Sequence, residues 1–466
     1  MASNSHILFF PFMAQGHTIP LLDLAKLLSR RGFKVTILTT PSNTSTISSY
    51  ISQFSNIHLK VIAFPQVQGL PKGYENMSQL SHDQRLSFFT ATKQLQQQFE
   101  KTLEEMSKVQ DLPVCVISDT FLGWTNTSCR VFRIPRLVFH GMGVLPMAVK
   151  KSLVIHQTYK EVDTDTEPLV VKGVQLRFTL TRADLPNSIR ERESSVSQFF
   201  LDSETYDIGS WGVIANSFVE LEKDHVASLE SLYGNNTRVW CVGPLFLYDQ
   251  IEGARNGPNG PNPSTKWAEW LNQQEREKSV IYVSFGSQSN LSENQLDELA
   301  YGLELSGHDY FWIVRSKTWN PPCDGRGLIV REWVDQRWIL AHEAIGGFLS
   351  HCGWNSLLES LSEGVPILAW PMFAEQHLNA KYLVEELKVG LQVPNLNRAM
   401  KIVSREAICE GVKELMGGEK GFKARENIVE LGRMAKRSVQ VGGSSYNNLN
   451  ELVNQISHIS ALATTM

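Results

Sequence analysis

The feature that most constrains this chain is an alternation that runs through it twice. Short apolar runs are followed by segments whose apolar residues fall three and four apart. Ile7-Leu8-Phe9-Phe10 is such a run, and residues 18–31 follow it with Leu21, Leu24, Ala25 and Leu28 in helical register before Gly32. Residues 33–39, with Val35 and Ile37, and the runs at 114–117 and 136–139 continue the pattern. A second series opens with SVIYVSF at 279–285, then a helix at 292–306 and further strands at 347–350 and 366–370. Strands that are apolar throughout are buried on both faces, the condition of a parallel sheet covered by helices. The expected architecture is α/β: two doubly wound domains facing each other across a cleft.

A chain of 466 residues exceeds one ordinary core, so two domains are the natural division. Residues 251–265 hold Gly253, Gly257, Pro258, Gly260, Pro261 and Pro263 and have little to bury, which marks an exposed connection. The expected partition is 1–250, a linker at 251–265, 266–444, and a terminal helix at 445–466 that returns to the first domain. A net charge of −4 gives no electrostatic footprint for nucleic acid. The start lacks the basic segment of a signal peptide, and no apolar stretch approaches a membrane span, so a cytoplasmic protein is expected. A monomer is expected as well. Six cysteines without a CxxC pair form neither a disulfide framework nor a metal knuckle.

Chemistry concentrates in residues 333–376, WVDQRWILAHEAIGGFLSHCGWNSLLESLSEGVPILAWPMFAEQ. A strand ends near Ser350, Gly353 permits a tight turn, and a helix opens near Trp354. Backbone amides and the helix dipole make such an end a site for phosphate, with His351, Asn355 and Ser356 beside it. Glu359 lies one turn deeper on the same face, where a carboxylate can accept from two vicinal ribose hydroxyls. The plain alternative for HCGWNS is a tight strand–helix turn around a buried tryptophan.

Over its whole length this window resembles the donor-binding signature of plant family 1 UDP-dependent glycosyltransferases. HILFFPFMAQGHTIPLLDLAKLL at the start, WCVGPL before the linker and VIYVSFGS at the second series extend the likeness along the chain. The resemblance implies a GT-B architecture of two Rossmann-like domains, the first for the acceptor and the second for the UDP-sugar. It further implies that Trp333 stacks on uracil, while Val334 and Gln336 read its edge or the ribose. Glu359 would hold the ribose hydroxyls, His351, Asn355, Ser356 and Ser287 the diphosphate, and Trp354, Glu375 and Gln376 the sugar. At Asp335 the family usually has proline, and losing it should loosen the loop that presents the uracil platform.

In the first half, His17 follows Gly16 on the threshold of a helix, whose positive end should keep the imidazole neutral. Asp119 ends a strand at the carboxyl edge where α/β sheets place ligands. The resemblance pairs the two, with His17 as base and Asp119 as its orienter. Phe121, Trp124, Met142, Phe199 and Phe200 are candidates for the acceptor pocket. His140, after the strand at 136–139, is a further candidate whose side chain could reach the cleft.

Asp163-Thr164-Asp165 has the form of a metal-binding DxD, but it sits in a polar run and reads as a solvated loop. The expected reaction is therefore a metal-independent, inverting transfer with no resident cofactor. The resemblance implies a UDP-sugar donor, and glutamine at 376, which in that family commonly accompanies glucose, implies glucose. The acceptor is a hydroxyl of a small flavonoid, phenolic or terpenoid compound or a glycoside of one. The rival readings are a nucleotide-sugar epimerase or hydrolase on the same fold and a non-catalytic UDP-sugar-binding module.

Overall fold

A computed structural model describes residues 5–190, 194–234, 237–251, 265–289, 291–323, 325–396 and 402–464. The expected linker therefore lies outside the described residues except at its two ends.

The first sheet has seven strands: β1 (His6–Phe10), β2 (Lys34–Thr39), β3 (Ile57–Val61), β4 (Cys115–Asp119), β5 (Arg136–His140), β6 (Gly212–Ala215) and β7 (Arg238–Cys241). Its order is β3-β2-β1-β4-β5-β6-β7, and every pair is parallel. The second sheet has six: β8 (Val280–Ser284), β9 (Asp309–Ile313), β10 (Leu328–Val330), β11 (Ile345–Ser350), β12 (Ile367–Ala369) and β13 (Gly390–Gln392). Its order is β10-β9-β8-β11-β12-β13, again parallel throughout. Both sheets are thus doubly wound in the Rossmann order, reversing direction between their first and fourth strands. β1, β4, β5, β8 and β11 are buried along their whole length, as strands covered on both faces must be.

The reversal points matter for function. Where consecutive connections leave in opposite directions, the carboxyl ends of two neighbouring strands border a crevice that no crossover fills. In the first sheet this crevice lies past β1 and β4, in the second past β8 and β11.

The helix after β1, Gln15–Arg30, begins three residues earlier than its spacing suggested and places His17 in its first turn. Leu21, Leu22, Leu24, Ala25 and Leu28 are buried against the first sheet. Pro20 lies inside this helix, and since proline has no N–H, the Gly16 carbonyl loses its intrahelical partner. At the other end of the chain, helix Ser444–Thr464 lies along the edge of the first sheet. Its Asn448 donates to the Cys241 carbonyl at 3.1 Å, Ser445 to that of Gly243 at 2.5 Å, and Arg31 donates to its Asn450 at 2.5 Å.

Candidate active site at two facing switch points

At the first crevice, His17 Nδ1 lies 2.8 Å from Asp119 Oδ2, joining the first turn of the helix after β1 to the end of β4. The Asp119 side chain is fully buried, while that of His17 keeps 19% of its surface toward the cleft. The other carboxylate oxygen accepts from the Phe121 N–H at 2.9 Å, so Asp119 is fixed by its own following turn. Beneath it, the buried Arg136 guanidinium donates to the Asp119 carbonyl at 3.2 Å and to Asp207 at 2.7 Å. With Nδ1 engaged, Nε2 is the ring nitrogen left to take a proton from a substrate.

The helix end does not set the direction of the His17 shift, which runs opposite to the one a helix N-terminus alone would give. Burial works against the charged ring, but the charge and hydrogen bond of Asp119, aided by Glu375 of the second half, outweigh it and raise His17 above its ordinary value. A carboxylate in contact outweighs a helix end whose dipole is worth about 1 kcal/mol.

At the second crevice, Gly353 precedes helix Trp354–Ser362, and His351 sits between the ends of β8 and β11. A Cβ on Gly286 or on Gly353 would come within 2.6 or 2.5 Å of His351 Nε2, so both glycines make room for the ring. Cys352 takes a left-handed φ of 64° in this turn, backbone strain of the kind that collects at binding sites. Burial pushes His351 down to about 4, so the ring is neutral near pH 7. Ser287, half-buried, follows β8 on the same side.

One turn deeper, Gln336 donates to Glu359 at 2.7 Å and to Ser356 at 3.0 Å and accepts from the Tyr282 hydroxyl at 3.2 Å. Gln336, Ser356 and Glu359 are thus assembled as one group. Glu359 is raised from its ordinary value by burial, against the pull of Arg337 and Gln336. Trp333 is 69% exposed, an open indole face at the rim, whereas Val334 is packed in the core. Asp335 does not loosen its loop: its Oδ1 accepts from the N–H groups of Arg337 and Trp338 at 3.0 and 3.3 Å and caps helix Gln336–Ala341. The cap replaces the constraint that proline would impose.

The two halves meet through these same residues. Asn355 donates to the Gly16 carbonyl at 2.7 Å, using the acceptor that Pro20 leaves open. Trp354 donates its only side-chain N–H to the Asn216 carbonyl at 2.8 Å, and its ring packs where a Cβ on Gly143 would lie 2.7 Å away. The Trp354 side chain is therefore a buried rivet between the halves, and what it can still offer a sugar is its backbone. Gln376 accepts from the N–H groups of Met372 and Phe373, both at 3.0 Å, which leaves its amide nitrogen but not its oxygen for a ligand. Glu375 stands half-buried at the start of the same helix.

The acceptor candidates divide. Phe121 lies 4.8 Å from the His17 ring, centroid to centroid, and 5.0 Å from Phe200, and both are partly exposed. Trp124, Met142 and Phe199 are core residues with 6, 4 and 3% of their surface exposed. His140 does not reach the cleft: it is buried, with Nε2 3.2 Å from the Tyr233 hydroxyl and 3.3 Å from Asp207. Asp165 of the DxD run pairs with Arg190 at 3.0 Å. Among the described residues no three His, Cys, Asp or Glu side chains gather as a metal site.

Sequence reasoning passed over Arg337. Its guanidinium bridges Glu359 at 3.1 Å and Asp23, on the His17 helix, at 2.8 Å. Its only sequence signal is a cation within an otherwise apolar or amide-bearing stretch of the window.

The sequence model of the "UDP-glucoronosyl and UDP-glucosyl transferase" family matches residues 244–439. Scopoletin glucosyltransferase of Nicotiana tabacum is 38% identical, over 98% of both chains. UDP-glycosyltransferase 90A1 of Arabidopsis thaliana is 40% identical, over 97% of this chain and 96% of that one. The chain belongs to this family of UDP-sugar-dependent glycosyltransferases. Among solved structures, Phytolacca americana UGT2, complexed with UDP-2-fluoro-glucose and pterostilbene, superposes with a TM-score of 0.81 at 31% identity, over 97% of this chain and all of that one. Glycyrrhiza uralensis UGT73P12, complexed with glycyrrhetinic acid 3-O-monoglucuronide, gives 0.88 at 28% identity, over 99% and 98%. The GT-B fold and the glycosyltransferase class follow from these likenesses.

Proposed function

We propose that the enzyme transfers glucose from UDP-glucose to a hydroxyl of a small, largely apolar acceptor, with inversion at the anomeric carbon. The observation that carries the reading is the His17–Asp119 pair, held against the donor helix through Gly16 and Asn355. His17 Nε2 takes the acceptor proton as the oxygen attacks, and Asp119 orients the ring and stabilises its charged form. UDP departs from the opposite face, toward the amides that open helix Trp354–Ser362. Those amides, with His351, Ser287, Asn355 and Ser356, meet the developing charge without a metal. Glu359 and Gln336 hold the ribose, Trp333 stacks on the uracil, and Glu375 with the Gln376 amide nitrogen addresses the sugar.

Gln376 alone is a weaker guide to glucose than its sequence position suggests, because its oxygen is engaged. The glucosyltransferase relatives and the UDP-2-fluoro-glucose complex support that donor. Phe121 and Phe200 form an aromatic wall beside His17 and favour a planar or terpenoid-like acceptor. A cytoplasmic monomer independent of resident cofactors fits this reading.

The test is a mass-spectrometric screen of UDP-glucose, UDP-galactose, UDP-xylose and UDP-glucuronate against phenolic, flavonoid and terpenoid alcohols, in excess EDTA, with the product anomer read by NMR. A β-glucoside formed fastest from UDP-glucose is expected. Free sugar as the only product would replace the transferase with a hydrolase, and a higher kcat/KM for another donor would change the sugar.

A further inference from the structure

We propose that Arg337 is a donor-positioning residue that fixes the Glu359 carboxylate for the ribose and ties it, through Asp23, to the helix carrying His17. The proposal rests on the reading of Glu359 as the ribose holder.

The geometry is two-sided. Arg337 Nε donates to Glu359 Oε1 at 3.1 Å, and its Nη2 donates to Asp23 Oδ2 at 2.8 Å. The guanidinium lies over the Phe246 ring, 4.9 Å from its centroid, and its side chain is only 15% exposed. A planar fork with several donors can serve two carboxylates and a ring face at once, where an ammonium serves one point. Asp23 is itself locked: its other oxygen lies 2.9 Å from Lys26, which reaches Asp249 at 3.0 Å. The connection from Glu359 to the first half is therefore rigid, and it joins helix Gln15–Arg30 six residues past His17.

Glu359 needs such a partner. It is buried, and burial favours its uncharged form, which can accept at fewer positions than a carboxylate. Among the described residues Arg337 is the only cation bonded to it. A diphosphate nearby adds negative charge, which makes that cation more necessary. Gln336 holds the opposite oxygen at 2.7 Å, so Arg337 and Gln336 together set the plane of the carboxylate. Arg337 acts on the ribose through Glu359, not by touching it.

The readout is the preference for UDP over 2′-deoxy-UDP, measured by calorimetry on the full chain. That preference isolates the ribose hydroxyl from the phosphates and the base. Arg337→Leu should weaken UDP at least tenfold and shrink the preference several-fold, because the lost affinity is ribose affinity. Arg337→Lys should recover part of both. Asp23→Asn should weaken UDP by a smaller factor and add nothing in the Arg337→Leu background. An equal fall for the two nucleotides in Arg337→Leu, or independent effects of the two substitutions, would overturn the proposal. Should Arg337→Leu fail to fold, Arg337→Lys carries the same comparison: a preference below that of the wild type supports the proposal, and an unchanged one overturns it. Glu359→Ala separates the two levels. An unchanged preference there removes the ribose reading itself, whereas an unchanged preference in the arginine variants alone removes only the role of Arg337.

Discussion

The two sheets share one strand order, and each opens its crevice between its first and fourth strands, yet the two crevices are equipped in opposite ways. Past β1 and β4 stand His17 and Asp119, two titratable groups in contact. Past β8 and β11 stand Ser287 and His351, the latter wedged between Gly286 and Gly353. The two histidines are driven apart: a carboxylate raises His17, and burial pushes His351 down to about 4. Topology decides where chain ends converge, and the immediate neighbours decide whether an imidazole exchanges protons or only donates a hydrogen bond. On the proposed reading, the first site changes charge and the second remains constant while charge arrives.

Exchanging the losses gives the strongest break of that contrast. His17→Ala should lower turnover with an aliphatic alcohol by roughly 10² to 10⁴ while UDP affinity stays near that of the wild type. His351→Ala should do the reverse in kind, weakening UDP by about 1–3 kcal/mol for a lost buried hydrogen-bonding group. Initial rates and calorimetry on both variants measure this. Unaltered turnover of His17→Ala with an aliphatic alcohol would take the base out of the first site.

Asp119→Asn sharpens the same comparison through pH. His17 must be neutral to accept a proton, so kcat/KM should fall as pH drops through its raised value. Removing the carboxylate charge takes away the influence that raises the ring, so the acid limb should move to lower pH and the plateau rate should drop by less than in His17→Ala. A limb that stays in place would mean that Asp119 does not set the titration. His351→Ala should leave the limb where it is.

Gly286→Ala and Gly353→Ala address the second crevice. Each added methyl meets His351 Nε2 at under 3 Å, and Gly286 also has a φ of 73° that alanine tolerates poorly. UDP should bind more weakly by about 1–3 kcal/mol, the scale of backbone strain, with Gly286→Ala the worse of the two. Wild-type affinity in both would show that the ring has room to move and that its wedging is incidental.

Much of this was legible from residues alone, and the failures have physical causes. The alternation located β1, β4, β8 and β11 to within two residues at each end, because buried parallel strands are continuous apolar runs. That same continuity erases the two-residue alternation that tells which face a side chain takes. His140, at the end of β5, was thus a cleft candidate although its side chain is buried with Tyr233 and Asp207. Trp124, on no strand, was a pocket candidate although it packs on Phe10 and Phe99. Arg337, Asn216 and Asp23 were missed because the contacts of Arg337 with Asp23 and of Trp354 with Asn216 cross between the halves, and spacing within one element reports only local neighbours. The window at 333–376 was readable since a strand, a tight turn and a helix end fix several positions by themselves.

The smallest expected effect concerns Asp335, which tests whether the second half is indifferent to charge in its caps as well as in His351. Asp335 Oδ1 caps helix Gln336–Ala341, so Asp335→Ala should lower stability by about 1 kcal/mol, the usual worth of an N-cap. Burial raises this carboxyl above its ordinary value, against the bonds from the Trp338 and Arg337 N–H groups and the Arg337 charge. A raised carboxyl binds its proton more tightly folded than unfolded, so ionising it subtracts stability as pH rises from about 4 through the folded value. Asparagine keeps the capping oxygen and cannot ionise. Asp335→Asn should therefore gain on the wild type over that pH range, hold the gain at pH 7, and leave donor KM almost unchanged. Thermal unfolding across a pH series reads the difference. A loss for Asp335→Asn as large as that for Asp335→Ala at pH 7 would show that the cap depends on the negative charge, and the contrast between a charge-changing and a charge-neutral half would end at His351.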